Sequence, residues 1–557
     1  MSAKNQKTFS LLLVVFFVVN VLQAHFTELI FDEAYYWYYS QDMAWGYFDH
    51  PPMVALLIKL GSLFFDAELG VRFVSVLLAT LTLPVLWDLV DDARKEGHIP
   101  AFFVLVLSMT LLNAYGFMTL PDTPLLFFTA CFLWAYKRFL KAPGAGIALL
   151  LGLVMAALMY SKYHAVLVIV FVLLSNVGLL TNKWAWMAVL VALTAYLPHF
   201  HWLYENDFVS INYHLYERPN DAYNFEKYTL GFLVNLIALF GLTFPLVYRA
   251  LWGSRQKDLF TKALRYLTYG VILFFFVSSF NRRVQTQWLI VICIPLVVLV
   301  YRHMLQHPNF LRWMLRLGWI NIAIICYLRL GLVHQPLLFN FYYESHGNKD
   351  WVAQLRKQVG DLPVVFENSY RRAPMYAFYS GGAATFSLNN LRYRKNQYSL
   401  DDSEERVRGQ KVAYVSKYLK DGPISYTKTD GTTFKGRYID QFQSYRKLRA
   451  DLVGPQERAT LGDTVTIAVH NPYPFPVPLD RLRFAVAHLN DYKKTQDIVP
   501  VALLPRQNGL TELPGRGTAQ FSMVLPPSNK DHIPYFRVAI SENELYYGLN
   551  SRPIPLN

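Results

Sequence analysis

Up to about residue 335 the chain is a succession of long apolar runs, separated by short polar turns, that no water-exposed loop can carry. A helix needs about 17 to 25 residues to cross a bilayer. On that length the runs predict eleven membrane helices, near 9–31, 70–90, 100–118, 123–140, 145–160, 164–181, 184–204, 229–250, 264–280, 286–303 and 313–333. With 54% hydrophobic and 17% charged residues, the chain is neither disordered nor collagen-like, and it is too apolar for an ordinary soluble enzyme. The fold class expected is a mainly α polytopic membrane protein with a soluble C-terminal region.

Lys and Arg outnumber Asp and Glu by 53 to 39. In a soluble protein that excess points to nucleic acid; in a polytopic one it marks cytoplasmic loops, and no nucleic acid partner is expected. With a cytoplasmic N-terminus, the inner loops collect Lys4, Lys7, Arg94, Lys95, Lys137, Arg138, Lys141, Arg255, Lys257 and Arg302 among others. The first run follows Lys4 and Lys7 as a signal peptide would, but it lacks a convincing small-residue cleavage site and is expected to be a retained helix. Eleven crossings put the tail outside. In a bacterium that means the inner membrane, with the C-terminal region in the periplasm. Cys131, Cys293 and Cys326 all lie in apolar runs, so no disulfide framework or cysteine metal site is available.

This topology sorts the polar groups near the spans by side. Asp32 and Glu33 end the first helix, Pro121-Asp122 parts the third from the fourth, Ser161-Lys162-Tyr163 the fifth from the sixth, and Arg282, Arg283, Gln285 and Gln287 the ninth from the tenth. All fall on the outer side, and short polar turns converging on one face suggest one site.

The stretch FDEAYYWYYSQDMAWGYFDHPPMVALLIKL, residues 31–60, carries most of the chemistry. Its aromatics, Tyr35, Trp37 and Tyr38, suit headgroup depth, and Pro51-Pro52 suits the start of a short helix. Asp32 and Glu33 read either as a helix cap or as a general base whose pKa is raised by its like-charged neighbour. Lys162, Arg282 and Arg283 are the candidate cations for a lipid phosphate, and each alone also reads as a headgroup anchor. His50, beside Asp49, joins the phosphate-binding candidates. With Asp32 and Glu33 it also forms a possible divalent-cation set, without a strong ligand spacing. Tyr35, Tyr163, Gln287 and Trp288 are the substrate-binding candidates. His199 and His201 read as packing residues, and the loop 205–228 as a cover for substrate. Neither a GxGxxG nor a Walker A sequence is present.

Four segments together resemble the GT-C type integral membrane glycosyltransferases, the superfamily of protein O-mannosyltransferases and of aminoarabinose or galacturonate transferases to lipid A. They are FDEAYYWYYSQDMAWGYFDHPPMVALL at 31–57, TLPDTPLLFF at 119–128, SKYHAVLV at 161–168 and QTQW at 285–288. The resemblance implies that Asp32 is the catalytic base with Glu33 beside it, that Asp122 is a second catalytic acidic position, and that Lys162 meets the donor phosphate. It implies a polyprenyl-phosphate sugar donor, membrane lipid partners, and a lipid A, glycan or protein acceptor. His50 stands where aminoarabinose transferases usually have a lysine and Tyr35 where they have an arginine, which bears on the donor sugar. The implied reaction is an inverting displacement. Polyprenyl phosphate leaves as a stabilised anion, so one base and cations suffice where ordinary glycoside hydrolysis needs a strong acid.

Three domains are expected: a transmembrane catalytic domain at 1–335, an α/β region at 345–450 and a β-sandwich at 451–557. DDSEER at 401–406 reads as a solvated charged stretch. Two rival functions stand beside the enzyme: a transporter or lipid flippase, whose charges would line a path across the bilayer, and a scaffold whose tail does the work. The one-sided gathering of charge argues against the first.

Overall fold

The computed structural model describes residues 2–218, 220–254, 258–454, 458–542 and 544–557; Arg255 and Lys257 of the inner-loop cations lie outside them. The chain divides into two compact units, one of residues 1–207 and 223–346, the other of 208–222 and 347–557.

The first unit is helical. In chain order come α1 (Ala3–Phe26), α2 (Phe31–Gln41), α3 (Met53–Gly61), α4 (Ala67–Leu89), α5 (Ile99–Ser108), α6 (Thr110–Ala114), α7 (Asp122–Lys141), α8 (Ala145–Ser161), α9 (Ala165–Leu174) and α10 (Lys183–Glu205). Each expected run falls on helix. Among the described residues, six helices are long and apolar enough to cross a membrane, or seven if the pair Glu226–Ala238 and Gly241–Gly253, bent by 95°, is one span. The remaining runs form shorter, broken or more polar helices, so the structure gives a mostly helical multi-pass protein rather than eleven uniform spans.

Two of the breaks answer each other. Met109 takes an extended conformation between α5 and α6, and Gly241, at φ +53, marks the sharp bend. Both breaks free backbone groups that lipid cannot satisfy. The Leu111 amide donates to the Leu239 carbonyl at 3.3 Å. The Asn321 amide, on the helix Pro308–Val333, donates to the carbonyls of Ser108 and Phe240 and accepts from the Leu242 amide. A Cβ at Gly241 would sit 2.5 Å from Asn321 Oδ1, so this close approach requires glycine.

Lys137 and Arg302 donate to the Leu89 carbonyl and Lys95 donates to those of Trp87 and Val90, placing cations at the C-terminus of α4. Lys137 also pairs with Asp91 at 2.7 Å.

The second unit holds a five-stranded sheet. Strands 385–388, 364–367 and 412–416 run parallel, and 433–439 and 424–427 extend it antiparallel. Two four-stranded antiparallel sheets follow from residue 449. Alternation along Tyr535–Glu542 sends Phe536, Val538 and Ile540 into the apolar core and turns Ala539 to the opposite face, against Leu391 and Ala487. In the DDSEER stretch Asp402, Glu405 and Arg406 are exposed as expected, whereas Ser403 and Glu404 are not. Glu404 is buried, accepting from the Ser444 hydroxyl, the Arg446 amide and the Tyr473 hydroxyl while pairing with Arg408 at 3.1 Å. A buried carboxylate persists because all its partners are supplied.

Candidate active site

The polar turns at one end of the helical unit are organised by Glu33. Its carboxylate caps α2 by accepting from the Ile30 amide at 3.2 Å, and it accepts from Arg72 Nε at 2.7 Å and from a second Arg72 nitrogen. Arg72, fully buried in α4, also donates to the carbonyls of Ala24, Thr27 and Glu28 at the end of α1. An arginine within a 23-residue apolar helix needs such partners. The same carboxylate accepts from the Thr119 amide at 2.9 Å, which fixes the turn leading into α7. Glu33 therefore holds α1, α2, α4 and the start of α7 together.

That turn delivers Asp122, in the first turn of α7 and 3% exposed. Lys162 donates to Asp122 Oδ1 at 2.7 Å. Its reach follows from the backbone, since α8 ends at Ser161 and Lys162 is extended, at φ −164 and ψ 144. Asp32, next to Glu33 in sequence, is half-buried and lies on a different side of α2. The charges of Asp32 and Asp122 both act on the Tyr115 hydroxyl, which puts the two acids in one neighbourhood. Tyr343 belongs to it too: burial, then Glu344, Glu33 and Asp32, push its hydroxyl above the usual range.

A second set of contacts orients the loop between α2 and α3. His199, buried in α10, sits 2.7 Å from the Trp45 carbonyl through Nδ1 and 3.3 Å from the Tyr163 hydroxyl through Nε2. A carbonyl can only accept, so Nδ1 carries the proton and Nε2 accepts from Tyr163. A Cβ on Gly46 would come within 2.3 Å of the Trp202 ring, so the loop lies directly on α10. Tyr35 is 2% exposed and donates to Asp49 Oδ2 at 3.1 Å. His50 packs its ring against Tyr36, centroids 5.5 Å apart.

The turn at 279–287 joins the others through Trp288, whose ring lies 5.3 Å from that of His164, two residues beyond Lys162. The turn is held by Asn235, which donates to the Val284 carbonyl and accepts from Thr286. Arg282 is half-buried and Arg283 exposed, and Gln287 donates to Gln285 at 2.9 Å. The structure thus ties Glu33 through the Thr119 amide to the turn bearing Asp122, pairs Asp122 with Lys162, sets Tyr163 on His199 and Trp288 on His164, and places Asp32 in the electrostatic neighbourhood of Asp122. Among the described residues, no three His, Cys, Asp or Glu side chains form a group that could hold a metal ion. The set Asp32, Glu33, Asp49 and His50 does not assemble as one, since Glu33 faces Arg72 and Asp49 faces Tyr35.

Arg72, Thr119, Tyr115, Tyr343 and the Trp45–His199 contact were not singled out from sequence. The lone arginine in an otherwise apolar stretch was the available signal for Arg72; the rest depend on contacts distant in sequence.

Residues 49–202 match the family described as dolichyl-phosphate-mannose-protein mannosyltransferase. The lipid A galacturonosyltransferase RgtD of Rhizobium johnstonii is 25% identical over 342 residues, 58% of this chain and 70% of that protein. The lipopolysaccharide core galacturonosyltransferase RgtA of the same organism is 29% identical over 283 residues, 46% and 54% of the two chains. The fold is similar to crystal structures of ArnT from Cupriavidus metallidurans. In the apo state the TM-score is 0.54 at 13% identity, covering 74% of this chain and 93% of that one. For the form bound to undecaprenyl phosphate it is 0.53 at 14% identity, covering 76% and 97%. The family match over part of the chain, the galacturonosyltransferase relatives and the ArnT-like fold together support a polyprenyl-phosphate-dependent glycosyltransferase of the GT-C type.

Proposed function

We propose that this glycosyltransferase moves a sugar, with inversion, from a polyprenyl-phosphate donor to an acceptor on the outer face of a bacterial inner membrane. The acceptor class is lipid A or another cell-surface glycan, with protein as the remaining option. The observation that carries the reading is the Glu33 network, which binds the turn bearing Asp32 to the turn bearing the Asp122–Lys162 pair. The galacturonosyltransferase relatives act on lipid A and on lipopolysaccharide core by name, and ArnT has been crystallised with undecaprenyl phosphate, which supports donor and acceptor classes of this kind.

In this reading Asp32 takes the proton from an acceptor hydroxyl. That oxygen attacks the anomeric carbon while the bond from carbon to phosphate oxygen breaks, and polyprenyl phosphate leaves with the electron pair. Lys162, oriented by Asp122, stabilises the departing phosphate, with Arg282, Arg283 and His50 contributing from the neighbouring turns. Glu33, with both oxygens committed, is a positioning residue. Tyr163, Gln287 and Trp288 line the sugar, and Tyr35 acts through Asp49. The eleven-span topology, the three domains and the periplasmic tail complete the proposal. The transporter reading gains no support from the bundle interior: Arg329 is bonded to Asn20 at 2.8 Å and Asn113 at 2.9 Å, as an internal tie.

The test is transfer of labelled sugar from a panel of polyprenyl-phosphate sugars to envelope acceptors, in membranes holding equal amounts of wild type and Asp32→Asn. Loss of a general base lowers turnover by about 10²- to 10⁴-fold. Transfer undiminished in Asp32→Asn removes Asp32 from the mechanism.

A further inference from the structure

In the five-stranded sheet of the second unit, the strands Val364–Glu367, Thr385–Leu388 and Val412–Ser416 run parallel, with the first of them in the middle. The chain therefore leaves the middle strand to one side and returns past it to the other. Connections that part in this way leave a crevice beyond the carboxyl ends of the strands, where open parallel sheets bind their ligands.

The floor of this crevice is polar and bonded within itself. Glu367, which ends the middle strand, accepts from Asn390 Nδ2 at 2.6 Å and from the Ser416 hydroxyl, one group from beside each neighbouring strand. Asn390 Oδ1 accepts from Asn368 Nδ2 at 2.8 Å and from the Arg392 amide at 3.0 Å, and Ser416 Oγ accepts from the Tyr418 amide at 3.0 Å. Glu367, Asn368, Asn390 and Ser416 are all buried, so these bonds fix the loops that rise from the three strand ends.

Those loops, residues 368–371, 391–395 and 417–420, read NSYR, LRYRK and KYLK: six Lys or Arg, three Tyr and no Asp or Glu. Arg392 lies 4.6 Å from the ring centroid of Tyr418, on the loop across the middle strand, and 3.8 Å from that of Tyr546. Arg394 lies 4.4 Å from the ring of Tyr370, on the third loop. Arg392 and Lys417 are exposed and form no ion pair among the described residues. A guanidinium restrained by rings keeps its fork of donors for a partner with two acceptor oxygens.

We propose that this crevice binds an anionic saccharide, with Arg392, steadied by Tyr418, on its phosphate or carboxylate and Lys417 beside it. Tyrosine suits a sugar, since it offers an apolar ring and a polar tip together. A lipid surface calls instead for large apolar side chains projecting among the cations. Of the two leucines in these loops, Leu391 is buried and Leu419 half-buried. The site does not depend on the donor chemistry, and its test reads binding.

The full-length protein in detergent is titrated by calorimetry with glucose 1-phosphate and with glucuronate, and with glucose as the uncharged control. Saturable binding of the two charged sugars, and none of glucose, is expected in wild type. Arg392→Gln weakens it about tenfold. Tyr418→Leu keeps every charge but releases the guanidinium, and weakens it about threefold, a loss that a diffuse positive surface does not show. Lys357→Gln removes another exposed cation, from the last turn of the helix Asn348–Val359, and leaves binding unchanged. No saturable binding in wild type, or affinity unaltered in Arg392→Gln, overturns the proposal. Flotation with phosphatidylglycerol vesicles that falls in Arg392→Gln, without binding of either charged sugar, replaces the saccharide by a lipid surface.

Discussion

Asp32 and Glu33 are adjacent carboxylates with opposite fates. Consecutive positions on a helix point about 100° apart, so one side chain of such a pair turns into the bundle when the other does not. Glu33 turns inward onto Arg72 and the Thr119 amide. Removing one partner of a buried ion pair typically costs about 3–5 kcal/mol. Glu33→Gln is therefore expected to lower the melting temperature of the membrane unit strongly, and Arg72→Gln in the same chain to recover part of the loss. Asp32→Asn is expected to leave that temperature unchanged. Thermal unfolding of the three variants in one detergent decides this, and equal destabilisation by Asp32→Asn and Glu33→Gln contradicts the division of roles. The sequence marked the acidic pair as the centre of interest, yet it did not distinguish the members. The partner that decides lies 39 residues on, in a run that reads only as a membrane helix.

At the scale of elements, run length located the helices because hydrocarbon thickness is a strong constraint. It did not locate the breaks at Met109 and Gly241, which are tolerated only because Asn321 and the opposing backbone meet them. Charge patterning missed the burial of Glu404 within DDSEER for the same reason, since three of its partners, Ser444, Arg446 and Tyr473, are 40 or more residues away. The strand Leu482–Leu489 offers a test of pH dependence. His488 is buried and donates through Nε2 to the Pro526 carbonyl at 3.1 Å; burial pulls its pKa below the ordinary value, against the pull of Pro526 and Asp497. A depressed pKa means the unfolded state binds the proton more readily. The stability it contributes is present above the unfolded value, about 6.5, and is lost as pH falls towards the folded one. The melting temperature of the C-terminal unit is thus expected to decline on acidification below that point, less steeply in His488→Gln. Equal slopes in both proteins rule out His488 as a source.

For the whole molecule, sidedness is the claim most exposed to experiment. The expected topology puts the polar turns around Glu33, Asp122 and Lys162 and the cationic caps around Leu89 on opposite sides of the membrane. With Cys131, Cys293 and Cys326 replaced by alanine, Ala142→Cys is expected to resist a membrane-impermeant maleimide in intact cells, and Asn281→Cys and Lys530→Cys to react. Labelling at Ala142 alone inverts the topology. The charge asymmetry behind the expected sidedness is readable from the chain because each loop carries its own charge, whereas the site needed contacts between loops.

The Asn321 junction also sets a schedule for synthesis. The open backbone at residues 108 and 240 enters the bilayer while residue 321, which bonds to the Ser108 and Phe240 carbonyls, is still unmade or inside the ribosome. Until then the insertion machinery, water or a chaperone has to shelter those breaks. A nascent chain stalled before residue 308 is left with two unsealed joints in lipid, a defect that quality-control proteases are built to find.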